Sequence, residues 1–333
     1  MLLSRAQTWG SAGMERRKFI AFVGLAALWP LRAYSQQAKM RRVGVLVIGN
    51  ADLDSFQKEL REGLRELGHI EGQNILFEFR SAEGILDRLP GLAAELVRLK
   101  VDVIVALYTP CGLAAKEATR EIPIVLLTGD PLATGLIASL ARPGGNITGL
   151  SMMAAETHGK LVEMFRDMLP AMRAAAVLTN AADPVFEKLV IQQVELAGRI
   201  TGIEIQPIAV RGPEELDDAF ATMVKRRPDV VVIQGSLSTK RVADLALEHR
   251  LPAASLSRSF PEVGGLMSYG ADGPDLFRRS ALFVHKILQG TKPLDMPVEL
   301  PTKFELVLNL KTAKTLSIDV PLFFQQRADA VIE

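Results

Sequence analysis

Cysteine is almost missing from this chain. Cys111 is the only one among 333 residues, so no intrachain disulfide can form. An excess of charge of one sign is missing too: 39 basic against 38 acidic residues leave +1. Residues 1–35 hold five of the basic residues and one of the acidic, so the remainder carries −3. A chain this balanced lacks the basic face that nucleic acid demands, and no nucleic-acid partner is expected. Beyond residue 35 no apolar run approaches the roughly 20 residues that span a bilayer. Catalytic signatures are absent as well. There is no phosphate-cradling G-x-x-x-x-G-K-[ST], and GVLVIGNADL lacks the dinucleotide-binding glycine spacing. Gln234-Gly235-Ser236-Leu237-Ser238 lacks the second glycine of a serine elbow. His69, His158, His249 and His285 are scattered without metal-ligand spacing and read as surface or capping groups. No catalytic residue, metal or cofactor is expected.

What is present begins at the N-terminus with ERRKFIAFVGLAALWPLRAYSQQ, residues 15–37. Arg16, Arg17 and Lys18 precede a short apolar run, Phe19–Leu31, interrupted by Gly24 and Pro30. Ala33 and Ser35 follow in an A-x-S arrangement. A basic start, a short apolar centre and small residues describe a secretory signal peptide. The Arg pair also fits a twin-arginine signal. The expected mature protein is soluble, exported and starts near Gln36. With no disulfide to hold it, its stability must come from its core, and 48% hydrophobic residues suffice for that.

Short β-branched runs then alternate with amphipathic stretches. Expected strands are 41–48, 74–80, 101–107 and 122–128, with helices at 52–67, 85–99 and 111–119 between them. Leu53, Phe56, Leu60, Leu64 and Leu67 recur at steps of three and four and form one apolar helix face. LARPGGNITGL (140–150) is a strong break. A second series follows: strands at 147–150, 174–180, 202–208, 229–235 and 252–256, helices at 157–169, 184–201, 213–226 and 239–249. A second break, EVGGLMSYG (262–270), precedes a helix over 273–289. The rhythm predicts an α/β protein of two Rossmann-like lobes, each a parallel sheet covered by helices on both faces.

In such folds ligands gather where the strands end, because helix N-termini and loops converge there. That singles out Asn50, Tyr108, Thr109, Asp130, Pro131, Asn180, Asp183, Ser236 and, at the second break, Tyr269. The set is polar and mixed, and suits a small zwitterion: hydroxyls and backbone N–H groups for a carboxylate, Asp130 or Asp183 for an ammonium. Asp130-Pro131 and Asp183-Pro184 are equally the ordinary chemistry of turns and helix starts. Cys111 opens a helix, where a thiol pKa can fall. It reads better as a packing residue near the cleft.

Several segments together resemble the substrate-binding proteins of ABC transporters, tryptophan/tyrosine-binding type. They are RRVGVL, FQKELREGLRELGHIEGQNILFEFRSAEG, RLPGLAAELVRLKVDVIVAL, GDPLATGLIASLARPGGNITG, GGLMSYG and PVELPTKFELVLNLKTAKTLSIDVP. The resemblance implies a type I periplasmic binding protein whose two lobes are joined by a hinge of three strand crossings. Lobe 1 would be 36–150 plus 265–290, and lobe 2 151–264 plus 291–333. It implies a monomer that binds an amino acid-like ligand, aromatic in the named type, and docks on an ABC permease in the inner membrane. Ligand contacts carry over to Asn50, Tyr108, Thr109, Asp130, Pro131, Asn180, Ser236 and Tyr269. Cys111 departs from the small residue its relatives carry. An exported sensory module of the same fold, and an exported α/β enzyme using Asp130 or Cys111, remain alternatives.

Overall fold

The computed structural model describes residues 40–333; the expected signal peptide lies outside the described residues. Two sheets organise them. In the first, β1 (Arg41–Val47), β2 (Ile75–Ser81), β3 (Val103–Leu107), β4 (Ile124–Thr128) and β5 (Ile147–Ser151) are all parallel, in the order β2-β1-β3-β4-β5. Their crossovers are α1 (Leu53–Glu66), α2 (Leu89–Arg98) and α3 (Thr109–Ala118). Side chains alternate along β1, and the alternation sorts the core. Val43, Val45 and Val47 face Phe56, Leu60 and Leu64 of α1. Leu46 and Ile48 face the other way, onto Ala93 and Leu96 of α2 and Ala115 of α3.

The second series builds the second sheet. After α4 (Ala154–Met168) come β6 (Ala174–Asn180), α5 (Pro184–Thr201), β7 (Glu204–Val210), α6 (Leu216–Arg226) and β8 (Val230–Ile233). Then follow α7 (Lys240–Glu248), β9 (Ala253–Ser255), α8 (Ser259–Glu262) and β10 (Met267–Ala271). The chain next forms α9 (Gly273–Leu288), β11 (Phe304–Asn309), α10 (Leu310–Thr315), α11 (Leu322–Arg327) and β12 (Ala330–Ile332). The sheet order is β12-β11-β10-β9-β8-β6-β7. Its parallel part, β7-β6-β8-β9-β10, repeats the winding of the first sheet; β11 then runs antiparallel to β10. Val177 and Val232 face α4 and α5 through Val162, Phe165, Val190 and Val194. Ala176 and Val231 face α6 and α7 through Phe220, Met223, Val242 and Leu245.

The chain passes between the sheets three times: after β5, after β10 and before β11. Two of the expected lobe boundaries shift. The stretch 265–290 does not stay together, because β10 pairs with β9 and β11 in the second sheet. Only α9 crosses back, and its Leu276, Phe277, Ala281 and Val284 cover the β1 face. Nor does 291–333 belong wholly to the second lobe. Met296 and Val298 pack in the first, Thr148 Oγ1 donates to the Met296 carbonyl at 2.8 Å, and Glu299 bridges to β5. The expected break 262–270 hides β10 because Gly270 looks like a turn. A Cβ there would collide with the Leu256 carbonyl, so the glycine permits close approach within the sheet.

Candidate functional site

The carboxyl ends of both sheets open onto one cavity of about 390 Å³. Its lining comes from the ends of nearly every parallel strand: Asp52 after β1, Tyr108–Pro110 after β3, Gly129 after β4, Met152 after β5. From the second sheet come Asp183 after β6, Gln234–Ser236 after β8, Leu256–Ser259 after β9 and Ala271 at the end of β10. The edge strands β2 and β7 of the two parallel runs send nothing. The apolar body of the cavity is Met152, Phe186, Leu256, Leu276 and Phe277.

Two aspartates occupy corresponding places, each opening the helix that follows the first strand of its lobe. Asp52 precedes α1. Its carboxylate accepts hydrogen bonds from the Tyr108 hydroxyl of the same lobe and the Ser257 hydroxyl of the other. Burial raises its pKa, and the Ser257 and Tyr108 bonds oppose the rise. Tyr108 is itself pushed up, by burial and then by the Asp52 charge. Its backbone sits at φ 72°, ψ 158°, a region almost reserved for glycine, which costs about 1–3 kcal/mol. Tyr108 N–H on the Leu127 carbonyl (2.7 Å) and the hydroxyl on Asp52 hold it there.

Asp183 precedes α5 and is served less completely. Oδ1 accepts the Phe186 N–H at 3.2 Å, an N-cap. Oδ2 is buried with no partner among the described residues. Burial pushes this carboxyl up to about 6; the Phe186 N–H resists and the nearby Glu187 charge adds to it. His158 of α4 lies on the same wall, its ring 6.4 Å from that of Phe186. His158 Nδ1 is 2.5 Å from the Ala154 carbonyl, and Nε2 has no partner. Burial lowers its pKa to about 4, against the pull of the Ala154 and Ile233 carbonyls.

The lobes also meet directly. Ala51 N–H donates to the Ser238 carbonyl at 2.9 Å, and Asn50 Nδ2 to the Gly235 carbonyl at 3.3 Å. Gly129 lies so close to the Phe186 ring that a Cβ would stand 2.5 Å from it.

Of the eight residues singled out as contacts, Tyr108, Thr109 and Ser236 line the cavity. Asn50 and Asn180 stand behind it: Asn50 ties the lobes, while Asn180 N–H donates to Gln234 Oε1 (2.9 Å) and its Oδ1 accepts the Ala182 N–H (3.0 Å). Asp130, Pro131 and Tyr269 are not in the lining. Asp130 Oδ1 caps its own turn, accepting the Leu132 and Ala133 N–H groups at 3.1 and 2.9 Å. Pro131 is buried in that turn and its carbonyl accepts the Ile137 N–H. Tyr269 sits within β10, one ring stacked on Phe304 at 6.0 Å. His158 was expected as a surface or capping group; it is fully buried because α4 is wrapped by the second sheet and α5. Cys111 is buried in the first-lobe core, not in the lining, and burial pushes its thiol up, against nucleophilic use. Sequence reasoning missed Phe186, Phe277, Ser257 and Asp52 as site residues. Asp52 carried a signal, an acid between a strand and a helix face; the others lie in amphipathic or loop stretches that carry none.

No serine hydroxyl bonds to a histidine ring, and no cluster of three metal-ligating side chains exists, among the described residues. Lys58 is paired with Glu59 at 3.8 Å, and Arg258 with Glu262 at 3.2 Å and with Glu305.

Two doubly wound lobes, three crossings and a cleft at the strand ends define a type I periplasmic binding protein fold. More narrowly, the chain belongs to the ABC transporter substrate binding protein family, whose model matches residues 42–332. It is similar to a tyrosine-binding protein of Clostridioides difficile, 25% identical over 285 residues that cover 84% of this chain and 82% of the relative. Among solved structures it resembles a conserved domain protein of Vibrio cholerae (TM-score 0.81, 26% identity, 88% of this chain and all of that one). It also resembles an ABC domain of Streptococcus pneumoniae in complex with L-Trp (TM-score 0.80, 24% identity, 88% and 100% covered).

Proposed function

We propose that this protein is the periplasmic receptor of an ABC importer, a monomer that closes its two lobes over an amino acid-like molecule and presents the closed form to a membrane permease. The observation that carries the reading is the cavity itself. It is fed by the strand ends of both lobes, and its polar rim includes Asp52–Ser257, a bond made across the cleft. Such a bond exists only when the lobes are together, so a ligand that touches both lobes shifts the protein toward that state. The apolar wall of Phe186, Phe277, Leu276 and Met152 fits a ligand with an apolar or aromatic body. The relatives named for tyrosine and crystallised with L-Trp support that choice. The N-terminal export pattern supports the compartment.

The test is thermal unfolding of the purified protein, stripped of bound ligand by partial unfolding, against amino acids, purines, sugars and aromatic acids. A ligand at about 100 times its Kd adds roughly 2.7 kcal/mol. The expected result is an upward shift with an amino acid, accompanied by compaction in small-angle scattering and recovery of the compound unchanged. Consumption of the compound would move the protein to the enzymes.

A further inference from the structure

Among the described residues, two buried side-chain atoms in the cavity wall make no hydrogen bond. Asp183 is 1% exposed and its Oδ2 lacks a partner; His158 is wholly buried and its Nε2 lacks one. Both residues line the cavity and both neighbour Phe186, Asp183 through its backbone N–H and His158 through its ring. A buried polar atom left unmade is costly, so each such atom calls for an explanation. The remaining polar atom of each is committed. Asp183 Oδ1 caps α5, and His158 Nδ1, at 2.5 Å from the Ala154 carbonyl, must carry the ring hydrogen. His158 Nε2 therefore holds a lone pair, and the Ile233 carbonyl beside the ring is a further acceptor. Both vacant atoms are acceptors, one of them charged.

The charges around them point the same way. Five carboxylates line the cavity: Asp52, Asp54, Glu59, Asp183 and Glu262. The two lining cations, Lys58 and Arg258, are already in ion pairs. A ligand carboxylate would find hydroxyls and backbone N–H groups but no free side-chain cation in the lining. A ligand ammonium would find a buried carboxylate.

We propose that Asp183 and His158 form an ammonium subsite, and that the cavity selects its ligand by the ammonium group more than by the carboxylate. The proposal rests on the reading of the protein as a receptor for amino acid-like molecules, and it names the group that receptor reads. Arylalkylamines without a carboxylate then belong to its ligand class.

Calorimetric titration with matched probes tests it. L-tryptophan and L-tyrosine carry both groups; tryptamine and tyramine lack the carboxylate; indole-3-propionate and 3-(4-hydroxyphenyl)propionate lack the ammonium. On the native protein, the two acids should bind at least about tenfold more weakly than the matching amines, the weight of one charge-assisted hydrogen bond. In Asp183→Asn, which keeps the helix cap, the amines should fall to the level of the acids. Acids that bind as tightly as the amines overturn the proposal in the native protein, whatever the variant does. Ammonium preference surviving in Asp183→Asn overturns the site but leaves the receptor reading standing. Binding of none of the six probes overturns both.

Discussion

Asp52 and Asp183 are the same residue type in the same place of two lobes with the same winding, and they differ in what they have been given. Asp52 receives two hydroxyls, one from each lobe. Asp183 receives one backbone N–H and keeps an oxygen bare. One lobe thus spends its carboxylate on holding the cleft shut, and the other reserves its own. The contrast teaches that fold symmetry fixes where a functional group sits, while its neighbours decide whether it is a fastener or a receptor. A second contrast runs alongside. The first lobe stores backbone strain at Tyr108, whereas the second stores an electrostatic debt at Asp183.

The largest effect is expected from removing that debt. Asp183 has a folded pKa near 6 against an ordinary 3.8, so its folded form favours the proton; stability is full below about 3.8 and is lost as pH rises through 6. His158 runs the opposite way. Its folded pKa near 4 against 6.5 gives stability that is full above 6.5 and is lost as pH falls through 4. The two slopes offset each other across the same window, with Glu187 the other charge beside Asp183. Asp183→Asn should therefore be about 1–3 kcal/mol more stable than the native protein at pH 7 without ligand. It should also lose stability on acidification from 6.5 to 4, where the native protein stays nearly flat. Urea unfolding at several pH values measures both, and a variant no more stable than the parent would remove the idea of a reserved charge.

The fastener is tested next. Ser257→Ala takes away the hydroxyl that reaches Asp52 across the cleft, at a cost to the closed state of about 1–2 kcal/mol. The ligand-free variant should be less compact in small-angle scattering and should bind its ligand several-fold more weakly. Tyr108→Phe removes the bond within one lobe and should leave the compactness alone. Equal compactness in all three proteins would show that Asp52 does not hold the cleft.

The smallest effect belongs to the other candidate aspartate. Asp130→Ala loses two turn hydrogen bonds and should cost about 0.5–1 kcal/mol of stability without changing ligand affinity. A fall in affinity equal to that of Asp183→Asn would mean that the two aspartates are not distinct.

Much of the fold is written in periodicity. The strand 174–180 and the helix 184–201 stand where the apolar pattern puts them, and α1 buries the face of Phe56, Leu60 and Leu64. β10 escaped because its Gly270 serves a close backbone approach that a linear pattern cannot distinguish from a turn. The site was legible at the level of strand ends and not of side chains. Asp130-Pro131 and Asp183-Pro184 look alike in sequence. What separates them is that the turn at Asp130 supplies two N–H groups to one carboxylate oxygen, while Asp183 Oδ2, in the cavity wall, is buried without a partner among the described residues. His158 was unreadable for a similar reason: its polar neighbours suggest a surface, but the second sheet and α5 close over it.

The three crossings carry a consequence for how the protein comes into being. The β1 face built from Val43, Val45 and Val47 is covered in part by Leu276, Phe277, Ala281 and Val284 of α9, which the ribosome makes only after nearly the whole second sheet. The N-terminal strands therefore emerge with an apolar face that α1, the helix made next, covers only in part. Until α9 arrives the first half of the chain remains open to chaperones and proteases, and it is completed almost last although it was made first.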